Sequence, residues 1–201
     1  MATMGTAAAL FAALLTEGPQ SRTALAGRLG ISAAAVTRAA GPLLDAGYLT
    51  VPARPAGPLA IRSGREFFVG VTVTATELVG AVCDLTARPH LIERRALRGV
   101  RVPEVLDDLE ALAGTMLSRG GYRSRTRHLG LAVSDDVLAW REVPWGDRVA
   151  QRTGLTVTIS EPGAASTWFG VDGSTAHGLA CAAAAASVQL RVLGLIRSDR
   201  V

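Results

Sequence analysis

Residues 21–49 read SRTALAGRLGISAAAVTRAAGPLLDAGYL, and the spacing within this stretch decides the reading of the first third of the chain. Ser21 is a side chain that caps a helix by accepting a backbone N–H, and the run that follows, residues 22–29, carries Leu25, Ala26 and Leu29 on one side. Gly30 then supplies a tight turn, because glycine takes a positive φ without steric cost. Ile31 plugs the turn, Ser32 caps a further helix, and Val36, Ala40, Leu43 and Leu44 recur at helical intervals. Pro42 lacks a backbone donor, at a cost of about 3 kcal/mol inside a helix, so a kink or an early end is expected near Gly41.

Working outward, Leu10, Phe11, Leu14 and Leu15 follow helical spacing upstream, and Gly18-Pro19 stops that helix. Downstream, residues 48–51 read as a strand, 52–57 as a loop and 59–61 as a returning strand. The pattern is a helix-turn-helix followed by a hairpin wing.

Charge agrees with that pattern. All 21 basic side chains are arginine, the mark of a GC-rich coding sequence, so their position matters more than their number. Residues 1–65 hold six arginines and two acids, a net +4 that equals the whole formal excess, while residues 66–201 hold fifteen of each sign. A polyanion is therefore expected to meet the first third.

In a helix-turn-helix the second helix enters the major groove with its first residues against base edges. Ser32, Ala33, Ala34, Thr37 and Arg38 occupy those positions. Thr37 can contact phosphate or base, and Arg38 can grip guanine with both arms or neutralise phosphate; for Arg38 a solvated helix face is the plain alternative, and for Ser32 a helix cap. Arg22 and Thr23, opening the preceding helix, are candidate phosphate clamps, and Arg54 near the wing tip is placed to reach the minor groove.

From residue 66 the period changes. Residues 67–75, 77–85 and 90–97 read as a three-stranded meander. Pro103 opens a helix with Val105, Leu106, Leu109, Leu112 and Met116 on one face and Glu104, Asp107 and Asp108 in its first turn, where the helix dipole favours acids. Gly120-Gly121 ends it; a strand over 128–133, a helix over 145–152, a strand over 155–159 and a helix over 178–196 complete an α/β domain, giving domains at 1–65 and 66–201.

Other chemistry is weakly signalled. Cys83 and Cys181 stand far apart with no CxxC spacing, and His90, His128 and His177 lack ligand spacing, so neither a disulfide framework nor a metal is expected. Asp135-Asp136 reads as a solvated turn, and residues 170–173, with no following lysine, make a poor phosphate loop. Trp140, Trp145 and Trp168 can stack on a sugar, though core packing is the default for tryptophan. The apolar residues 7–15 precede any positive residue and read as an amphipathic helix, and residues 178–188 fall short of the roughly 18 needed to span a bilayer. A cytoplasmic protein without a membrane segment is expected.

Residues 21–49 resemble the winged helix-turn-helix of ROK regulators (repressor, open reading frame, kinase), in which it precedes a sugar-kinase-like domain. FFVGVTVTATELVGAVCDL, residues 67–85, resembles the first hairpin of that actin-like fold; VLAWREVPW, residues 137–145, and RTGLTVTIS, residues 152–160, resemble the run toward its sugar site. The resemblance implies a mixed α+β and α/β chain: a winged helix-turn-helix, then a truncated actin-like (ribonuclease H-like, sugar-kinase-like) first lobe. It implies a DNA-binding transcriptional regulator, a repressor, whose partner is double-stranded operator DNA, with a sugar as the candidate effector.

Departures from the family's kinases argue against catalysis. Their first hairpin carries a glycine-rich loop with an aspartate against ATP phosphate; VTVTATE, residues 71–77, has neither. Their catalytic Asn-Asp pair falls on Glu161 and Pro162, and proline accepts no proton from a sugar hydroxyl. The family's zinc motif is absent from the sequence, and the chain ends where the second lobe is expected to begin. No enzyme activity and no cofactor are expected; the alternatives are a ROK sugar kinase and a decayed regulator in which only the DNA-binding domain functions. Helix-turn-helix proteins bind paired half-sites, so a homodimer is expected, with the alanine-rich residues 178–196 as the pairing surface.

Overall fold

The first unit is built by three helices, each followed by a glycine of positive φ, and the hairpin that comes after them. The computed structural model describes residues 5–52, 57–86, 88–134 and 138–159. These fall into two units, one ending at Arg65 and the other beginning at Glu66. Helix α1 spans Thr6–Glu17, α2 Arg22–Leu29 and α3 Ala33–Asp45. Ser21 Oγ accepts from Ala24 N at 3.1 Å and Ser32 Oγ from Ala35 N at 3.2 Å, the two caps expected from the sequence.

Both α2 and α3 end in the same way. Gly30 (φ 64°) and Gly47 (φ 76°) occupy the left-handed region after the last turn. The next residue closes back on the helix: Ile31 N donates to Ala26 O at 3.1 Å, and Tyr48 N to Leu43 O at 2.8 Å. Each closure satisfies helix carbonyls that would otherwise be left bare.

The expected break at Gly41 does not occur, because α3 runs through Pro42 to Asp45. Pro42 removes only the one bond to the Arg38 carbonyl, and the extra turn buries Leu43 and reaches the closure at Gly47. The wing strands are shorter than expected: β1 is Leu49–Thr50 and β2 is Ala60–Ile61, antiparallel with Leu49 opposite Ile61. A bridge that the sequence did not announce joins Gln20 to Leu59, tying the α1–α2 connection to the hairpin. Leu10, Phe11, Leu14, Leu25, Val36, Ala40, Leu43, Leu49 and Leu59 are buried, and a fully buried leucine or phenylalanine contributes about 1.5–3 kcal/mol.

The second unit is a five-stranded mixed sheet in the order β5-β4-β3-β6-β7. Strand β3 (Phe67–Val73), β4 (Glu77–Asp84) and β5 (Pro89–Ala96) form the expected antiparallel meander, while β6 (Thr126–Val133) joins β3 in parallel and β7 (Thr156–Ile159) joins β6 in parallel. Helix α4 (Val102–Ser118) makes the crossover from β5 to β6, and α5 (Trp145–Thr153) the crossover from β6 to β7.

Val69, Val71, Val73, Leu78 and Val82 meet Leu109, Leu112 and Met116 of α4 in one core, which Trp140, Trp145 and Val149 extend. Gly80 lets α4 approach β4 closely, since a Cβ there would lie 2.5 Å from Met116 Sδ. Trp140 and Trp145 are core residues, 2% and 5% exposed, and their rings pack edge to face. Of the acids expected in the first turn of α4 only Glu104 lies there. Asp108 is instead buried, its Oδ1 accepting from Arg98 Nε at 2.6 Å and its Oδ2 from Arg98 N at 3.2 Å.

Residues 160–201 lie outside the described residues, and with them Glu161, Pro162, Trp168, residues 170–173, His177, Cys181 and the expected helix over 178–196. Asp135-Asp136 lies outside them as well. No helix among the described residues is long and apolar enough to cross a membrane.

Candidate nucleic-acid interface

Helix α3 divides cleanly into two faces. Val36, Ala40 and Leu43 are buried on one, whereas Ala33, Ala34, Thr37 and Arg38 are exposed on the other. Burial of the first set determines which way the second points, so α3 presents a smooth alanine surface at its first turn and two polar side chains one turn later. Thr37 Oγ1 donates to Ala33 O at 3.0 Å, which leaves its lone pairs for an outside donor. Ser32 is exposed but its oxygen is engaged as the cap of α3.

Arg38 has no acidic partner among the described residues. Arg28, by contrast, is paired with Glu17 and contributes no free charge. Arg22 and Thr23 occupy the first turn of α2, half-buried and exposed respectively, where the helix dipole adds partial positive charge. Arg54 lies outside the described residues. The structure thus brings Ala33, Ala34, Thr37 and Arg38 onto one face, and Arg22 with Thr23 onto the start of the preceding helix.

Arg62 and Arg65, which the sequence reading passed over, flank the end of α3. Arg65 Nε donates to Ala46 O at 3.4 Å and its guanidinium lies 5.6 Å from the Tyr48 ring centroid, so it caps the negative end of α3. No sequence signal announced this role, because Arg65 lies 19 residues from Ala46 and only the fold brings the two together.

In the second unit the turn between β3 and β4 is closed on itself. Thr74 Oγ1 accepts from Thr76 N at 3.4 Å and from Glu77 N at 3.1 Å, and Thr74 N donates to Glu77 O at 2.9 Å. The backbone N–H groups that a phosphate loop would aim at a nucleotide are engaged here by a side-chain oxygen. Among the described residues no group of three or more His, Cys, Asp or Glu is placed to hold a metal.

Asp84 and His128 are perturbed. Burial by itself would raise the Asp84 carboxyl, but hydrogen bonds from His90, Thr86 and Arg88 outweigh it and hold the group below the usual carboxylate value. Burial holds the His128 imidazole below its ordinary value, the Glu66 charge opposing and the Arg127 charge adding to the shift.

No family model and no curated protein matches the chain. Among solved structures, a ROK family transcriptional regulator described as a homolog of the E. coli MLC protein superposes with a TM-score of 0.58 at 19% identity, covering 80% of this chain and 46% of that one. A ROK family glucokinase from Streptomyces griseus, in complex with glucose and AMPPNP, gives a TM-score of 0.45 at 19% identity over 51% of this chain and 35% of that one. The T. thermophilus RuvC protein, in complex with a Holliday junction substrate, gives 0.43 at 13% identity over 64% of this chain and 96% of that one. The chain spans about half the length of the regulator. Its fold is that of the ROK regulator over the superposed part, a mixed α+β chain with a five-stranded mixed sheet at the centre of its second unit.

Proposed function

We propose that this protein is a DNA-binding transcriptional regulator of ROK type, a homodimeric repressor without kinase activity that occupies double-stranded operator DNA through a winged helix-turn-helix in residues 1–65. The observation that carries this reading is the outward face of α3, in which Ala33, Ala34, Thr37 and Arg38 are exposed together while Val36, Ala40 and Leu43 anchor the helix. Laid in the major groove, the small alanines let α3 seat deeply and meet thymine methyls. Arg38 then reaches guanine O6 and N7 with two N–H groups, or the phosphate beside them. Arg22 and Thr23 hold a phosphate at the start of α2, and Arg54 enters the minor groove from the wing. Two copies read half-sites about 34–36 Å apart.

The absence of kinase activity is supported by the closed Thr74–Glu77 turn, whose N–H groups are engaged, and by proline at position 162 where the family's kinases carry their base. Fluorescence anisotropy of the full chain on its own promoter fragment tests the reading. Binding that resists random-sequence competitor is expected, and equal affinity for both duplexes overturns it. A coupled assay with hexoses and N-acetylhexosamines is expected to stay at the blank, and turnover that copurifies with the chain overturns the non-kinase part.

A further inference from the structure

The start of β3 is flanked on both sides by arginines. Phe67, the first residue of β3, pairs with Asp84 at the end of β4 and with Thr126 at the start of β6. The β4–β5 turn with Arg88, and the α4–β6 connection with Arg123, Arg125 and Arg127, therefore lie at one end of the sheet, the end at which the chain arrives from the first unit. All four arginines are exposed.

Their backbone is firmly held. Phe67 packs against Tyr122 with ring centroids 4.9 Å apart and against His90 at 5.3 Å, and the Arg125 guanidinium lies 4.6 Å from the Phe67 centroid. Asp84 accepts from Thr86 N, Arg88 N and His90, which fixes the turn that carries Arg88. A register shift between Phe67 and Val69 in the β3–β6 pairing marks a bulge opposite Phe68, next to Arg127, a device that redirects side chains at a strand end.

Among the described residues most of the charge there has no acidic partner. The sequence has no acid between Glu110 and Asp135. Arg119 pairs with Glu93, but Arg88, Arg123 and Arg127 have no ion pair among the described residues. Among the described residues the acids at this end are Asp84, buried and engaged by the turn, and Glu66, within electrostatic reach of His128.

We propose that Arg88, Arg123 and Arg127 form a second phosphate-binding surface on the second unit, one that contacts the backbone of the same DNA beyond the bases read by α3. The proposal rests on the reading of the first unit as a DNA-binding module. Three exposed guanidinium groups on a held scaffold suit a phosphodiester chain, which offers regularly spaced anions and needs no sequence-specific partner. A phosphodiester backbone is continuous, so a duplex longer than the site held by residues 1–65 offers further phosphates to a second basic surface carried on the same chain.

The test is the salt dependence of binding by the full chain, on a long random-sequence duplex and on one of about one helical turn (~10 bp). Replacing Arg88, Arg123 and Arg127 together by Gln is expected to lower the slope of log K against log salt on the long duplex by about 2.7, or 0.9 for each phosphate lost, and to leave the short duplex unchanged. Replacing them by Lys is expected to restore the slope, because counterion release counts charges, and equal thermal midpoints show that all three proteins are folded. An unchanged slope for the Gln variant on the long duplex, or no recovery with Lys, overturns this surface while leaving the reading of the first unit intact. If the unaltered chain binds neither duplex, that reading falls and takes this proposal with it.

Discussion

Arg38 and His128 show how one position can carry either an outward or an inward role. Arg38 is exposed on α3 without an acidic partner among the described residues, so its removal leaves the fold of the first unit intact. Arg38→Ala is expected to weaken specific binding by about 1–3 kcal/mol if the side chain reads a base, or to weaken all sequences alike and lower the salt slope by about one unit if it holds phosphate. Gel-shift titrations at several salt concentrations separate the two, and no change in either quantity removes Arg38 from the interface. His128 is inward: its Nδ1 is buried with no hydrogen-bond partner among the described residues, and its ring stacks near Phe68 with centroids 6.4 Å apart. Because burial lowers its native value below 6.5, the unfolded chain takes up this proton first as the pH falls, and the folded state loses stability from about 6.5 downward until the native ring titrates too. Above that range the ring is neutral in both states and contributes nothing. The urea midpoint of the second unit is therefore expected to drop between neutral pH and mild acid, and to drop less in His128→Gln; equal drops would place the acid sensitivity elsewhere.

At the scale of elements, two positions oppose local preference to tertiary demand. Pro42 sits inside α3 and deprives the Arg38 carbonyl of its usual donor. Pro42→Ala supplies that donor and removes the ring clash, so the melting temperature of the first unit is expected to rise by an amount corresponding to about 1–3 kcal/mol; a fall would mean that the fixed backbone of proline outweighs the missing bond. Gly80 is the converse case, a glycine inside a strand where propensity disfavours it. A Cβ at that position meets Met116 Sδ at 2.5 Å and Leu112 Cδ2 at 3.1 Å, both in the fully buried core. Gly80→Ala is expected to destabilise the second unit by about 1–3 kcal/mol through overpacking, read as a lower denaturant midpoint with an unchanged slope.

For the whole molecule, the two units divide charge and apolar burial between them. The formal excess of +4 lies in residues 1–65, and the second unit supplies a larger core built on one sheet and two helices. A single small reading head has modest affinity, and linking it to a twin raises the effective concentration of the second head at a paired site. Sedimentation equilibrium of the full chain at micromolar concentration is expected to give a homodimer. A monomer at that concentration sinks the expectation of paired half-site recognition.

The sequence by itself determined the local elements, because caps, glycines and apolar spacing act over a few residues. Ser21, Gly30 and Ser32 announced α2, its turn and the start of α3, and the β-rich run over 77–85 marked β4 as a strand of the meander. The outward face of α3 was legible for the same reason, since burying Val36 and Ala40 leaves Thr37 and Arg38 no other side. Tertiary structure decided what depends on residues far apart in the chain. The parallel pairing of β3 with β6 is bridged by a helix that carries no pairing code, and the Gln20–Leu59 bridge ties the expected returning strand to a connection that shows no strand pattern of its own. Asp108 read as an acid in the first turn of a helix, favoured there by the helix dipole, and only the approach of Arg98 from the end of β5 made it a buried, paired one. The arginines at the start of β3 are separated in sequence by a strand and a helix, and sheet closure alone brings them to one end. Backbone propensity is set by each residue and its near neighbours, whereas burial and charge proximity are set by which distant segments the hydrophobic core draws together.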